Sequence, residues 1–116
     1  MKKNTGHVML NIGGHIFYTT RDTLTLKPGF LQTFCQTNQG DTLFIDRDGK
    51  HFRFILNFLR GSNILPTNTT DLQELLFEAD FYCLEEMKQN ITHELTKKIQ
   101  PLENTLMQIL YEMKHQ

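Results

Sequence analysis

The sequence has no tryptophan, two cysteines and three prolines among its 116 residues, and it has no long apolar run. Two isolated thiols, Cys35 and Cys83, do not make the disulfide framework of a small secreted domain, so a reducing environment is the simpler interpretation. The apolar runs are a few residues long, whereas a helix needs about 20 apolar residues to cross a bilayer. The start, MKKNTGHVML, also lacks an apolar stretch long enough for a signal peptide. We therefore expect a cytoplasmic protein without a membrane segment.

Neither sign of charge is in excess. Twelve Lys and Arg residues stand against thirteen Asp and Glu residues, which gives a net charge of -1. This balance argues against a nucleic-acid partner, because phosphate binding needs a basic surface. Apolar residues make up 39% of the 116-residue chain, which is enough for one globular domain with one core.

The first half of the chain contains strand and helix patterns in turn. Residues 8–20 alternate in polarity around Gly13-Gly14, which is typical of a β-hairpin with a two-residue turn. Short helical pieces are predicted over 21–37, and residues 42–46 have the pattern of a third strand. The remainder of the chain is predicted to be mainly helical.

Two helix starts are predicted from capping residues. Asp48 precedes Gly49 and a run of apolar residues at helical spacing, so its carboxylate is predicted to cap that helix. The same helix is predicted to end at Arg60, with Gly61 just past it. The segment 71–74, Asp-Leu-Gln-Glu, matches a capping box and predicts that the next helix starts there.

The C-terminal segment carries an apolar repeat that is typical of a coiled coil. Its members alternate in spacing between four and three residues over about two and a half heptads. This seam consists of Leu95, Ile99, Leu102, Leu106, Ile109 and Met113. Pro101 lies outside the seam and predicts that one helix ends near Gln100 and another begins there. The seam either pairs between subunits or packs back on its own domain, and the sequence leaves both open.

The residues that carry catalysis or bind metal in other proteins form no recognisable site here. Cys35 and Cys83 lie in apolar helical patterns, where a core role is more common than a nucleophilic one. Asp46 and Asp48 do not make a calcium loop, because Gly49 comes two residues early. The five histidines are scattered without the spacing of zinc ligands. We therefore expect no catalysis, no cofactor, no metal ion and no small-molecule substrate.

Three blocks of the sequence resemble one family. VMLNIGGHIFYTTRDTL, FIDRDGKHFRFILNFLRG and LLFEADFYCL occur in the order of the BTB/POZ domain of the potassium-channel tetramerisation type. The resemblance covers roughly residues 7–95, and it implies an α+β fold in which a small sheet is flanked by a helical cluster. It also implies self-association into rings of four or five subunits. By these bounds, residues 1–6 are a flexible N-terminal segment and residues 96–116 are a C-terminal helix or coiled coil.

The resemblance also implies which residues lie between the subunits of such a ring. In this family the interface between neighbours is largely polar, which suits partner choice because buried, paired charges exclude wrong partners. The residues carried over to this interface are Asn11, Gly13, Gly14, Thr20, Arg21, Asp22, Asp46, Arg47 and Asp48.

The family includes several kinds of function. The soluble branch, which Gly49 and the phrase FRFILNFLRG resemble more, contains adaptors that recruit substrates to cullin-3 ubiquitin ligases, and scaffolds that bind no cullin. A partner surface of the adaptor kind would be lined by Phe77, Glu78, Phe81 and Tyr82. The alternative is the cytoplasmic assembly domain of a voltage-gated potassium channel, which precedes a membrane part. A small metal or thiol enzyme is a third hypothesis, from another class.

Overall fold

The computed structural model describes residues 6–115, which form three β-strands and five α-helices. The strands are β1 (His7–Ile12), β2 (His15–Thr20) and β3 (Thr42–Ile45). The helices are α1 (Arg21–Leu24), α2 (Phe30–Thr37), α3 (Phe52–Leu59), α4 (Thr69–Phe81) and α5 (Glu85–Lys114). The predicted flexible segment, residues 1–6, lies outside the described residues except for Gly6. The α+β class implied by the sequence resemblance is confirmed.

The strands form one sheet in the order β2-β1-β3. β1 and β2 pair as the predicted antiparallel hairpin, and β3 lies parallel to β1 on its other side. Gly13 and Gly14 make the hairpin turn with φ of 58° and 105°, a region that glycine enters at little steric cost. A Cβ at position 13 would stand 2.2 Å from the Arg47 carbonyl oxygen. Gly13 therefore also allows the turn to lie against the segment that follows β3.

The core lies between one face of this sheet and the helices. Successive strand residues point to opposite faces, and the inward set packs against α3, α4 and the beginning of α5. The largest fully buried side chains are Tyr82, Phe52, Leu10, Ile12, Leu24, Ile55, Leu59, Leu72, Leu75, Met87 and Ile91. The outward face of the sheet has no such cover within the described chain, and Ile16, Tyr18 and Phe44 are exposed on it.

Both predicted helix caps were wrong by a few residues. Asp48 does not cap α3, because its Oδ1 accepts a hydrogen bond from the Lys50 amide (2.9 Å) and closes a turn before the helix begins at Phe52. In α4 the cap is Asn68, whose side chain accepts from the Asp71 amide at 2.7 Å. The predicted ends at Arg60 and Gly61 are confirmed, since Arg60 is the C-cap of α3 and Gly61 follows with φ of 99°.

The turn between α4 and α5 corrects the prediction for Cys83. Cys83 has φ of 58°, the left-handed conformation that commonly ends a helix, and its thiol is exposed rather than packed in the core. The turn is closed by hydrogen bonds from the Cys83 amide to the Asp80 carbonyl and from the Leu84 amide to the Ala79 carbonyl, both 3.0 Å. Cys35 is buried, as predicted.

Helix α5 is continuous through Pro101, so the predicted helix end near Gln100 was wrong. Proline lacks only its own amide, and the Lys97 carbonyl that loses this donor lies on an exposed stretch where water can replace it. Leu95 packs against the core, whereas every residue from 96 to 115 is exposed. Beyond Leu95 the seam therefore does not pack back on its own domain. No helix in residues 6–115, α5 included, is long and apolar enough to cross a membrane.

Candidate interaction surface

Most of the predicted interface residues gather at the turn end of the sheet. The Gly13 amide donates to the Ile45 carbonyl at 3.0 Å, which holds the hairpin turn beside the segment after β3. The Asn11 side chain accepts from the Gly14 amide at 2.6 Å and fixes the shape of that turn. We call this group the turn-end cluster. It consists of Asn11, Gly13, Gly14, Asp46, Arg47 and Asp48.

Arg47 is directed toward its own α4. Its Nε and Nη2 atoms donate to the two carboxylate oxygens of Glu78 at 3.2 and 2.8 Å. Its guanidinium also lies 4.3 Å from the centre of the Phe81 ring. A bidentate pair over an aromatic face is the contact that arginine makes best. No sequence pattern indicated this partner, because Glu78 is 31 residues away from Arg47.

Asp46 is the freest charged group of the turn-end cluster. Its side chain is exposed, and no hydrogen bond or ion pair among residues 6–115 uses its carboxylate. Asp48 is exposed as well, although one of its carboxylate oxygens closes the turn at Lys50. Gly14 is exposed with no neighbouring heavy atom in the space that a Cβ would take. Together with Gly13, which is also exposed, these three residues are the part of the cluster that another molecule can reach most easily.

The remaining predicted interface residues, Thr20, Arg21 and Asp22, lie at the opposite end of the sheet. The Thr20 hydroxyl accepts from the Thr23 amide at 3.1 Å and caps α1. Asp22 is exposed. We call these three residues the helix-start cluster. The six residues of β2 separate it from the hairpin turn by about 17 Å, at roughly 3.4 Å per residue.

Arg21 holds the loop that leads into β3. Its Nη1 donates to the Cys35 carbonyl at 2.8 Å and lies 3.2 Å from the Cys35 sulfur. Its Nη2 donates to the Asn38 carbonyl at 3.0 Å and to the Gly40 carbonyl. Both terminal nitrogens of the guanidinium are thus used within the chain, and Arg21 joins the start of α1 to the end of α2.

The predicted partner surface on α4 divides into exposed and buried members. Phe77 is 72% exposed, Phe81 is half-buried against the core, and Tyr82 is fully buried. The Tyr82 hydroxyl has no hydrogen-bond partner among the described residues, and burial raises the pKa of that hydroxyl above its usual range. Glu78 is occupied by Arg47. Phe77 is therefore the member of this set that another protein can contact most fully.

A charged cluster that the sequence did not predict joins α4 to the turn before α3. His51 is buried, and its Nε2 lies 2.7 Å from Glu74 Oε1 and 3.7 Å from Asp71 Oδ1. The hydrogen bonds from His51 and Lys50 lower the pKa of Glu74. Asp71 and Glu74 are three residues apart and share one helix face. His51 is far from both in sequence, so no local pattern could predict this cluster.

The same cluster has the donor types of a metal site. The ligand atoms of His51, Asp71 and Glu74 lie within 4.8 Å of one another. However, Lys50 Nζ stands 3.2 Å from Glu74 Oε1 and 3.7 Å from Asp71 Oδ1. A metal ion would have to displace this ammonium group, which already lies within ion-pair distance of both carboxylates. We therefore assign the cluster to holding α3 and α4 together.

Comparison with known proteins places these features in a family. The family model described as the BTB/POZ domain matches residues 8–91. A protein of Arabidopsis thaliana, FH protein interacting protein FIP2, is 46% identical over 93 residues, which cover 72% of this chain and 31% of the relative.

Two animal relatives carry a functional name. BTB/POZ domain-containing adapter for CUL3-mediated RhoA degradation protein 1 of Danio rerio is 35% identical over 99 residues, 79% of this chain and 30% of the relative. Protein 2 of the same name in Homo sapiens is 38% identical over 86 residues, 68% of this chain and 27% of the relative. The chain thus spans about three tenths of the length of the curated relatives it matches. Since the family match covers most of the chain and its α+β fold agrees, this chain belongs to the BTB/POZ domain family.

Proposed function

We propose that this chain is a non-catalytic, homo-oligomeric adaptor or scaffold that works in the cytoplasm. In this proposal residues 7–95 are the BTB/POZ domain and residues 96–116 are a self-association tail. The observation that carries it is the BTB/POZ match over residues 8–91, together with similarity to relatives that are named adapters. The two free cysteines fit a reducing compartment.

The proposed assembly is a ring of four or five subunits. A closed ring is built from head-to-tail contacts, so each subunit needs two different surfaces. The turn-end cluster and the helix-start cluster lie at opposite ends of β2, so each can form the edge of one such surface. Their exposed charges, Asp46, Asp48 and Asp22, are all acidic, so each cluster is expected to face basic groups of its neighbour rather than the other cluster.

The outward sheet face supports the same proposal. Ile16, Tyr18 and Phe44 are 44%, 71% and 57% exposed. Ile16 and Tyr18 share β2, and Ile16 and Phe44 flank Asn11, which pairs with both in the sheet. Apolar groups collected on one face are typical of a surface that another protein covers. A neighbouring subunit that contacts the turn-end cluster can extend over this face.

The oligomer is tested by light scattering with one charge variant and one control. We expect the wild-type chain to have the mass of four or five subunits at micromolar concentration. Asp46→Lys should lower this mass at dilution, because it reverses the freest charge of the turn-end cluster without removing an internal contact. Gln73→Lys, at an exposed position of α4, should leave the mass unchanged. A wild-type monomer would contradict the proposal.

The adaptor role predicts a partner surface around Phe77. The animal relatives are named as adapters for CUL3-mediated degradation, and cullin-3 is the partner we propose here. Phe77 is 72% exposed beside a cavity lined by Asp48, His51, Glu74 and Glu78. An exposed aromatic residue within a polar rim is the usual composition of a binding hot spot.

Direct binding of purified cullin-3 tests this surface. Phe77→Ala should weaken binding at least tenfold, whereas Ile64→Ala, which truncates a residue that is 73% exposed elsewhere, should bind as the wild type does. Light scattering of both variants checks that the oligomer is intact. If the wild-type oligomer does not bind cullin-3 at micromolar concentration, the chain is a scaffold for another partner.

A further inference from the structure

The exposed C-terminal half of α5 carries its seam residues along one face of the helix. Beyond Leu95 the seam residues are 44–65% exposed. They are Ile99, Leu102, Leu106, Ile109 and Met113. With Ile99 at position a of the heptad, the outer positions b, c and f are mostly polar, and Pro101, Met107 and Tyr111 are the exceptions. The apolar seam and the polar outer face predict a helix that is covered along one side only.

This half of the helix lacks support from its own chain. A single helix of about 20 residues is marginal in water, and Pro101 weakens it further. None of the buried core residues comes from beyond Ile91. Contacts with another helix along the seam would supply the missing stability.

We propose that residues 96–114 pack against the same segment of neighbouring subunits as a parallel, in-register bundle of at least four helices. The proposal rests on the ring described above, because subunits related by one rotation axis bring identical helices together in the same direction. It adds to the ring which segment packs against the seam, in which direction that segment runs, and how the heptads of the two helices align.

The charges beside the seam favour this parallel register. Lys98 lies at position g and Glu103 at the following position e, and in a parallel bundle these two positions of adjacent helices face each other. Neither residue has an ion pair among residues 6–115, whereas neighbouring Lys97 is paired with Glu94 at 2.9 Å. Lys98 and Glu103 are therefore both available to the adjacent subunit, and they carry opposite charges.

The seam composition favours more than two helices. Leu at position a with Ile at position d shifts a coiled coil toward higher order, and Leu106 and Ile109 have this arrangement. Ile99 and Leu102, in the first heptad, have the arrangement that favours two helices. The number of helices therefore depends on the second heptad and on the residue beside its seam, Leu110. Leu110, at position e, is 53% exposed and widens the apolar face beyond what two helices can cover.

Cross-linking of the full chain tests the orientation. In a Cys83→Ser background, which removes the exposed thiol, Ile109→Cys places a thiol in the seam and Tyr111→Cys places one on the outer face. With a short bis-maleimide, the first variant should give covalently linked pairs of chains, because each chain carries one accessible thiol, and the second should give almost none. Equal cross-linking at the two positions, or none at position 109 in an intact oligomer, would overturn the proposal.

A charge exchange tests the register independently. Lys98→Glu and Glu103→Lys should each raise the subunit concentration at half-dissociation about two- to five-fold. The double variant should return it close to the wild-type value, since the opposite charges face each other again. If the double variant dissociates more easily than either single variant, the register is wrong. A monomeric wild-type chain would contradict both the ring and the bundle. If the ring is intact but the double variant does not return to the wild-type value, only the bundle is contradicted.

Discussion

The Arg21 guanidinium is committed to the backbone of its own chain. It donates to the carbonyls of Cys35, Asn38 and Gly40, three groups that precede β3 and belong to no sheet ladder. Hydrogen bonds from a charged donor contribute about 1.5–3 kcal/mol, and carbonyls left without a donor when half-buried are costly. Arg21 is therefore a stabilising residue of the fold, in addition to any contact it makes with a neighbour.

Replacing Arg21 should lower the stability of the domain. We expect Arg21→Ala to reduce the free energy of unfolding by about 2–3 kcal/mol, and Arg21→Lys to recover part of it because one ammonium group can reach only some of the carbonyls. Arg53→Ala removes an exposed arginine of α3 that makes no hydrogen bond within residues 6–115, and should change stability by less than about 0.5 kcal/mol. Urea unfolding measures all three. Equal stability of Arg21→Ala and Arg53→Ala would contradict this role.

Glu74 gives the stability a defined dependence on pH. Hydrogen bonds from His51 and Lys50 lower the pKa of Glu74 in the folded chain. A lowered pKa in the folded state contributes stability above the ordinary glutamate pKa, and this contribution is lost as the pH falls through the lowered value. Glu74→Gln should thus melt below the wild type at pH 7, and the difference should shrink below about pH 4. A difference that stays constant from pH 7 to pH 3 would show that the charge of Glu74 is irrelevant.

At the scale of elements, the sequence predicted correctly those helices and strands that can be recognised from a few neighbouring residues. The alternation around Gly13-Gly14 predicted the hairpin, and the C-terminal repeat predicted a helix with an apolar seam, although it left open what covers that seam. The cap of α4 was misplaced because Asn, Thr and Asp residues stand close together at its start, and Asn68 is the one that accepts from the first turn. No side chain caps α3, because the turn after β3 uses the Asp48 carboxylate before the helix begins.

Pro101 shows how context overrides a propensity. It predicted a helix end, yet α5 continues through it and contains 30 residues. The rise of about 1.5 Å per residue makes this helix about 45 Å long. The exposed Lys97 carbonyl can accept from water instead, so the one missing hydrogen bond does not end the helix.

Removing the proline should therefore strengthen the exposed half of α5. Pro101→Ala restores the hydrogen bond to the Lys97 carbonyl and removes an unfavourable helix residue, a gain of up to about 3 kcal/mol in helix free energy. Hydrogen exchange of residues 98–106 should slow accordingly. Gln108→Ala, at the same heptad position c, should change exchange by less than a factor of about three. Unchanged exchange in Pro101→Ala would mean that the proline costs this helix nothing.

At the scale of the molecule, the sequence identified the family, but it did not predict which polar residues bind each other within the chain. Arg47 was predicted to face a neighbour, and the structure pairs it with Glu78 over the Phe81 ring. Such a pair joins residues far apart in sequence, so no local pattern could predict it. Since Arg47 is occupied, Asp46 is the better residue of this segment with which to test the proposed ring.

The globular part of the domain and the C-terminal tail are expected to contribute to different properties: the first to the stability of the fold, the second to the assembly of the oligomer. The core ends with Ile91 and the packing of Leu95, whereas residues 96–115 are exposed and account for much of the 82 Å length of the molecule. A chain that ends at Thr96 should therefore keep the fold, with the near-ultraviolet circular dichroism and the cooperative unfolding of the longer chain.

The same truncation should make the oligomer easier to dissociate. Assembly stabilises by mass action, so loss of the seam contacts must raise the subunit concentration at which half of the rings come apart. We expect a shift of at least tenfold, measured by light scattering over a dilution series, because several apolar side chains leave the interface. A truncated chain that unfolds would show that residues 97–116 support the core. A truncated chain that dissociates at the wild-type concentration would instead restrict assembly to the BTB/POZ domain.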